Sequence, residues 1–194
     1  MTKTKMNQDQ LYQYLLTHNL TVKRLGELIG QSDVQMSNAF KHNIVNGKPH
    51  RFPDFVVDRI NEALPRMADE ITDRLMRFHP ENNISKMPGR CYDPSCLDQL
   101  RRVGKYFNVK GLTARILGWS RSKENAIFCS SHSNYGHVTE ADVTAINTEL
   151  LAVAGVLRNI EIIHSSGETP VPVQPSPSEK KEKKGTRTRM EQSF

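Results

Sequence analysis

Three short stretches of this chain recur in the same order about 88 residues downstream. Asp9-Gln10-Leu11 returns as Asp98-Gln99-Leu100. Gly30-Gln31-Ser32 returns as Gly118-Trp119-Ser120, with a phenylalanine ten residues after each glycine, Phe40 and Phe128. Val57, Ile60, Asn61 and Leu64 return as Val143, Ile146, Asn147 and Leu150. The spacings between successive matches differ by only one or two residues, so a unit of roughly 60–70 residues is present twice. Two copies are too few for a solenoid. A chain of 194 residues and 22.1 kDa has room for one ordinary domain or two small ones, and the duplication favours the second.

Each copy has the apolar spacing of short helices separated by breaks. In the first, Asn7 caps a helix to about Thr17 with Leu11, Leu15 and Leu16 inward. Thr21 caps a second, Val22–Ile29, which Gly30 ends by tolerating positive φ. Ser32 caps a third, Asp33–Lys41, with Met36, Ala39 and Phe40 inward. A polar loop, His42–Arg51, contains Asn46-Gly47 and Pro49. A helix over Asp54–Leu64, with Phe55, Val56, Ile60 and Leu64 inward, is expected to stop at Pro65, and another to run over Arg66–Phe78. The second copy is expected to form helices over Cys96–Phe107, Leu112–Leu117, Arg121–Cys129 and Glu140–Ile160, with a polar loop Ser130–His137 and a Thr139/Asp142 capping box. The last helix is densely apolar, which implies burial on two sides, either by the other copy or by another chain.

The segment Leu20–Lys41, LTVKRLGELIGQSDVQMSNAFK, carries a more specific pattern. Two short helices that cross steeply need a small residue at the crossing, a positive-φ turn, an N-cap and an apolar anchor four residues on. Gly26, Gly30, Ser32 and Met36 supply them. The pattern resembles the helix-turn-helix of the lambda repressor/Cro family, roughly L-T-x-x-x-L-A-x-x-[LI]-G-x-S-x-x-x-[IV]-S. Leu20, Thr21, Leu25, Leu28, Ile29, Gly30, Ser32, Met36 and Ser37 fall on matching positions, and Gly26 stands where alanine is usual. In the second copy Ala114, Leu117, Gly118, Ser120 and Phe128 match, but Glu124 stands where the first copy has Met36. Either that third helix is rotated onto Ile127 and Phe128, or the second copy is a scaffold. The tandem arrangement also looks like regulators from Bacteroidetes and their phages.

The resemblance implies that the third helix lies in the major groove of double-stranded DNA. The implied contact residues of the first copy are Ser32, Asp33, Val34, Gln35, Ser37, Asn38 and Lys41. Gln35 and Asn38 can each pair with adenine, Val34 can touch a thymine methyl, and Asp33 can accept from cytosine. Lys23, Arg24, Lys48, His50 and Arg51 are the flanking candidates for phosphate contact. In the second copy the implied residues are Ser120, Arg121, Ser122, Lys123 and Asn125, with Arg121 suited to guanine.

Composition agrees without deciding. The net charge is +6 and the pI about 9.3, which permits nucleic-acid binding. The longest apolar run, Leu150–Leu157, is far short of the roughly 20 residues of a membrane span. No apolar stretch marks a secretory signal, and three cysteines argue against a disulfide framework, so a cytoplasmic protein is expected. Cys91, Cys96, Cys129, His132 and His137 are too loosely spaced for a zinc site, and no cofactor is expected. No phosphate cradle, nucleophile elbow or metalloprotease motif occurs, so no enzyme is expected.

The sequence thus predicts an all-α fold of two tandem helix-turn-helix bundles, residues 7–79 and 95–164, joined by a linker at 80–94. Residues 165–194, rich in proline and then in Lys, Glu and Arg, are predicted to be a disordered tail. The expected function is sequence-specific DNA binding by a transcriptional regulator, with the helix near 140–160 available for a homodimer and no membrane partner. The alternative is a protein-interaction or phage structural module that keeps the fold without base readout.

Overall fold

The structure is a computed structural model, and it describes residues 3–45, 48–83, 92–128 and 138–163. Among these residues the chain forms β1 (Thr4–Met6), α1 (Gln8–Thr17), α2 (Val22–Ile29), α3 (Asp33–Phe40), β2 (Ile44–Val45), β3 (Lys48–Pro49) and α4 (Asp54–Thr72). After a short 3-10 turn, Pro80–Asn82, follow α5 (Ser95–Val103), α6 (Val109–Leu117), α7 (Arg121–Phe128), α8 (Glu140–Asn159) and β4 (Ile160–Ile162). The expectation of an all-α chain therefore holds, with two small pairs of strands added. No helix among the described residues is long and apolar enough to cross a membrane. The segment expected to be a disordered tail, 165–194, and linker residues 84–91 lie outside the described residues.

Local chemistry explains the helix starts. Asn7 and Gln10 close a capping box at α1, as do Thr139 and Asp142 at α8. Thr21 was expected to cap α2 through its side chain. It makes no such bond, and its hydroxyl donates instead to the Tyr106 carbonyl at 3.2 Å. The expected break at Pro65 does not occur, and α4 runs through it. The missing N–H costs one helical bond. Burial on both sides of it, by Val56, Val57, Ile60, Ala63 and Leu64 before and Met67, Ala68 and Ile71 after, offsets that loss. Phe55 and Leu16, expected inward, are 58% and 50% exposed, because each lies one position off the 3.6-residue stripe of its helix.

The core centres on α4 and α8, which pack on each other more extensively than any other two elements. Their buried positions repeat in register: Val57 and Val143, Ile60 and Ile146, Leu64 and Leu150, Met67 and Val153, Ala68 and Ala154, Ile71 and Leu157. Of the apolar positions of 140–160, Val143, Ile146, Leu150, Val153, Leu157 and Ile160 are thus buried within the chain, while Leu151 and Val156 stay 50% and 38% exposed. Residues of both copies belong to one continuous cluster.

Each long helix also holds the backbone beyond the other. Asn61 on α4 donates to the Ile162 carbonyl at 2.9 Å and accepts from the Ile162 N–H at 2.6 Å. Asn147 on α8 does the same to Met76, at 2.8 Å in both directions. The Ile162 end is extended because β4 pairs in parallel with β1, Thr4 opposite Ile160 and Met6 opposite Ile162. A second tie joins the loops before α2 and α6. Leu20 and Phe107 form an antiparallel bridge, in which Thr21 N–H donates to Tyr106 and Asn108 N–H to Asn19, both at 2.7 Å.

Charged contacts brace the same seams. Arg24 grips Glu70 with two bonds of 2.9 and 2.5 Å. Glu149 accepts from Arg115 at 2.6 Å and meets His18 at 2.8 Å. Asp93 is buried and accepts from Ser95 and from the His79 N–H. The bond from Arg24 holds Glu70 below the usual carboxylate range. For Glu149 and Asp93 burial alone would raise the pKa, but Arg115 and His18 in one case, and Ser95 and His79 in the other, bring the net below normal.

Two predictions follow from these contacts. Asn61→Ala and Asn147→Ala each strand a backbone N–H and carbonyl, and each is expected to lower stability by about 1–3 kcal/mol in urea unfolding. The three carboxylates titrate lower folded than unfolded, so their stabilisation is complete above the unfolded pKa of about 4 and is lost as pH falls through the folded values. The urea midpoint is expected to be level from about pH 5 to 7 and to drop steeply below about pH 4, most of all for the wild type relative to Glu149→Gln.

Candidate nucleic-acid interface

The α2–α3 corner is set by two glycines and a cap. Gly30 has φ of 72°, the left-handed region where a side chain is strained. At Gly26 a Cβ would lie 2.9 Å from the Gln31 carbonyl oxygen and 3.0 Å from Met36 Cγ. The two helices therefore approach more closely than the alanine usual in the resembling family allows. Ser32 Oγ accepts from Gln35 N–H at 3.2 Å, and Gln35 Oε1 accepts from Ser32 N–H at 2.9 Å, closing a capping box at the start of α3.

The inner face of α3 is fixed. Met36, Ala39 and Phe40 are buried, with Phe40 stacked on Tyr12 and edge-on to Phe52, ring centroids 5.0 Å apart in each case. Gln8, buried under α3, donates to the Ala39 carbonyl at 2.5 Å and accepts from Phe52 N–H at 3.3 Å. The helix thus has little freedom to roll, and its outer face is held in one orientation.

That outer face carries Ser32, Asp33, Val34, Gln35 and Lys41 exposed, and Ser37 and Asn38 half-buried. Two of the expected adenine readers are partly engaged. Gln35 Oε1 also accepts from the Ser32 hydroxyl at 3.0 Å, and Asn38 Oδ1 accepts from Asn43 Nδ2 at 2.9 Å. Each keeps its amide N–H groups for a base, whereas two-point pairing with adenine also needs the carbonyl. Val34, 67% exposed, is free to meet a methyl group. Asp33 sits in the first turn, where the helix dipole favours its charge.

Of the flanking cations, Arg24 was a candidate for phosphate and is not available. Its guanidinium is spent on Glu70 and Glu27, and its side chain is only 14% exposed. Lys23 is exposed, and His50 and Arg51 are half-buried. The loop after α3 was expected to be irregular. It contains the hairpin β2–β3, with Ile44 opposite Pro49 and Val45 opposite Lys48. Asn46 and Gly47, between the strands, lie outside the described residues, but Asn-Gly is a strong hairpin signal and marked this element in the sequence. The hairpin puts Lys48 on β3, though its side chain is not among those described. A cavity of about 220 Å³ lies beside it, between Gln35, His50, Phe52 and Phe55.

In the second copy Gly118 repeats the left-handed turn, with φ of 62°. Ser120 Oγ accepts from Lys123 N–H at 3.2 Å, as Ser32 does from Gln35. The question posed by Glu124 has a local answer. Glu124 is 5% exposed and accepts from the Thr113 hydroxyl at 2.8 Å. In the first copy the corresponding pair is Leu25 and Met36, both fully buried. One apolar pair has been exchanged for one hydrogen-bonded pair, and α7 keeps the facing of α3 without rotation. Ile127 is buried with it and Phe128 packs against the core. Ser120, Arg121, Ser122, Lys123 and Asn125 are all exposed. Trp119 is 5% exposed, so it is a core residue, and Lys123 Nζ lies 4.4 Å from its ring centroid. Asn125 Oδ1 accepts from Lys110 Nζ at 3.1 Å. Arg121 makes no ion pair among the described residues.

Cys91, Cys129, His132 and His137, weighed above as metal ligands, lie outside the described residues. Cys96 is fully buried, and burial together with Asp93 pushes its thiol up to about 12, so it stays protonated. Among the described residues no group of three or more His, Cys, Asp or Glu side chains converges on a common point. Comparison of the chain with protein-family models, with curated proteins and with solved structures found no match.

The Thr113–Glu124 pair gives a test of how α7 is held. Thr113→Val leaves a carboxylate buried without its hydroxyl partner and is expected to cost about 1–3 kcal/mol in urea unfolding. Thr113→Val combined with Glu124→Met restores an apolar pair like that of the first copy, and is expected to be more stable than Thr113→Val alone.

Proposed function

We propose that this chain binds double-stranded DNA in a sequence-specific manner and acts as a transcriptional regulator. In this reading each copy is a helix-turn-helix bundle, α2–α3 in one and α6–α7 in the other. The observation that supports it most is the contrast between the two faces of α3. The inner face is locked by Met36, Ala39, Phe40 and the Gln8 bonds, while the outer face is a short, rigid, mainly polar surface. Base readout needs such a surface, because side chains must be held in register before the duplex arrives.

The roles divide as follows. Val34 meets a thymine methyl, and the amides of Gln35 and Asn38 donate to acceptors on base edges, N7 among them. Asp33 accepts from a cytosine amino group, which offsets the cost of its charge near phosphate. Lys41, Lys48, Arg51 and Lys23 supply phosphate contacts, which set register and most of the affinity. In α7, Arg121 pairs with guanine, and Lys123, Ser122, Ser120 and Asn125 make polar contacts. The C-terminal segment, 165–194, whose six Lys and Arg outnumber its four Glu, adds a further electrostatic contribution.

A second reading has one specific observation behind it. Val34 on α3, Ile44 on its hairpin and Phe55 at the start of α4 are 67%, 76% and 58% exposed. A protein-interaction or phage structural module would bury them against a partner chain.

Selection of bound duplexes from a random pool, followed by a salt titration on the winner, separates the two. The DNA reading expects a defined motif and a log-log salt slope set by the phosphates neutralised. Asn38→Ala is expected to weaken the selected site by about 1–3 kcal/mol and to relax one base position. Gln35→Glu keeps the capping box but replaces the amide donor with a charge, so binding is expected to fall while thermal stability stays level. A chain that shows no base preference, and whose partner is lost on Val34→Ser or Phe55→Ser, belongs to the second reading.

A further inference from the structure

The geometry points to a single chain that occupies a bipartite duplex site whose two half-sites differ in sequence, α3 reading one and α7 the other. This rests on the DNA-binding reading above.

Three sets of contacts relate the copies by an internal pseudo-two-fold axis. The Leu20–Phe107 bridge joins the residues that stand just before the caps of α2 and α6, and its two hydrogen bonds are equal, both 2.7 Å. An antiparallel bridge between equivalent residues is what a two-fold produces. Asn61 holds Ile162 and Asn147 holds Met76, and each held residue stands fifteen places after the asparagine of its own copy. α4 and α8, the equivalent long helices, pack on one another. Contacts in which i meets j and j meets i define an isologous dimer, here built within one chain. α4 buries Val143, Ile146, Leu150, Val153 and Leu157 of α8, the face that an isologous partner would cover in a two-chain dimer.

The axis passes beside the starts of α2 and α6. α2 has eight residues, about 12 Å of helix, so α3 and α7 each begin within roughly 20–25 Å of the axis. Half-sites one turn apart, about 34 Å, need each reading helix about 17 Å from the dyad. That distance lies within the reach, and a shared core and two asparagine clasps hold α3 and α7 at one spacing.

The two reading faces are not equivalent. Arg121 takes the place of Asp33, Ser122 of Val34 and Lys123 of Gln35, each following its own positive-φ glycine by the same count. The first position is a hydrogen-bond acceptor in one copy and a fork of donors in the other. The same base cannot satisfy both, since carboxylate pairs with the cytosine amino group and guanidinium with guanine O6 and N7. The buried Thr113–Glu124 pair keeps α7 at the same facing, so the difference lies in the surface and not in the docking. The site is therefore an asymmetric sequence with a fixed spacer.

The test uses the full chain and the duplex obtained by selection. Complex mass gives the stoichiometry, and affinity is measured on the intact duplex, on duplexes with either half scrambled, and on duplexes lengthened by five or ten base pairs between halves. The expected result is one chain per duplex. Scrambling either half costs at least ten-fold, and five added base pairs, which turn one half to the far side of the duplex, cost ten-fold or more. Arg121→Ala and Asn38→Ala each weaken the intact site about ten-fold, and each makes the chain indifferent to scrambling of one half only, a different half for each. A single selected half-site, lost on Asn38→Ala and untouched by Arg121→Ala, overturns the bipartite site and leaves DNA binding standing. Two identical half-sites filled by two chains overturn it likewise. A pool that yields no motif overturns both readings together.

Discussion

Packing of α4 against α8 is the interaction on which the rest of the structure depends. Each copy by itself has only short helices of eight to ten residues besides its long one, too short to be stable in isolation. The long helices bury matching residues from Val57 and Val143 to Ile71 and Leu157, and their joint surface is the floor on which both sets of short helices rest. Asn61 and Asn147 then satisfy backbone groups that would otherwise end unpaired at the edge of that floor. The pairing with β1 fastens the end of α8 to the beginning of the chain.

With that floor fixed, small local devices set the direction of α3 and α7. Gly30 and Gly118 turn the chain through positive φ, and serine caps begin the next helix. In the first copy a close glycine approach and an apolar anchor complete the corner. In the second, a threonine-to-glutamate hydrogen bond replaces the anchor. A buried carboxylate is tolerated there because its partner is a donor at short range, whereas an unpaired one would be costly. Of the cations near the first corner, Arg24 is tied up inside the fold by Glu70 and Glu27, while Lys23 and Lys41 stay exposed.

Much of this was legible in the sequence. The duplication, the extents of α1, α2 and α3, the Ser32 cap and the Thr139/Asp142 box all follow from rules that act over three or four residues. Other features were missed because neighbours far along the chain decide them. Pro65 reads locally as a stop, but tertiary burial on both sides carries the helix through it. Thr21 reads locally as a cap, but its hydroxyl has a partner eighty-five residues away. The strand pair β1–β4 joins the two ends of the described fold, and three residues of unremarkable composition gave no sign of it. The hairpin after α3 did leave a sign, the Asn-Gly pair. In the candidate site, exposure of the outer residues of α3 followed from periodicity, whereas the facing of α7 was left open by Glu124 and settled by its burial against Thr113. The engagement of Arg24 by Glu70 and of Gln35 by Ser32 did not.

The sequence by itself determined that the chain is helical, that it carries one unit twice, and which side of α3 faces outward. Periodicity and capping are properties of adjacent residues, and adjacent residues were enough. Only the tertiary structure decided that the two units share a core, that α4 and α8 bury their matching faces against each other, and that Glu124 is a buried partner of Thr113. Those outcomes depend on which surfaces meet. That is set by the sum of many long-range contacts, and no local pattern in the sequence encodes it.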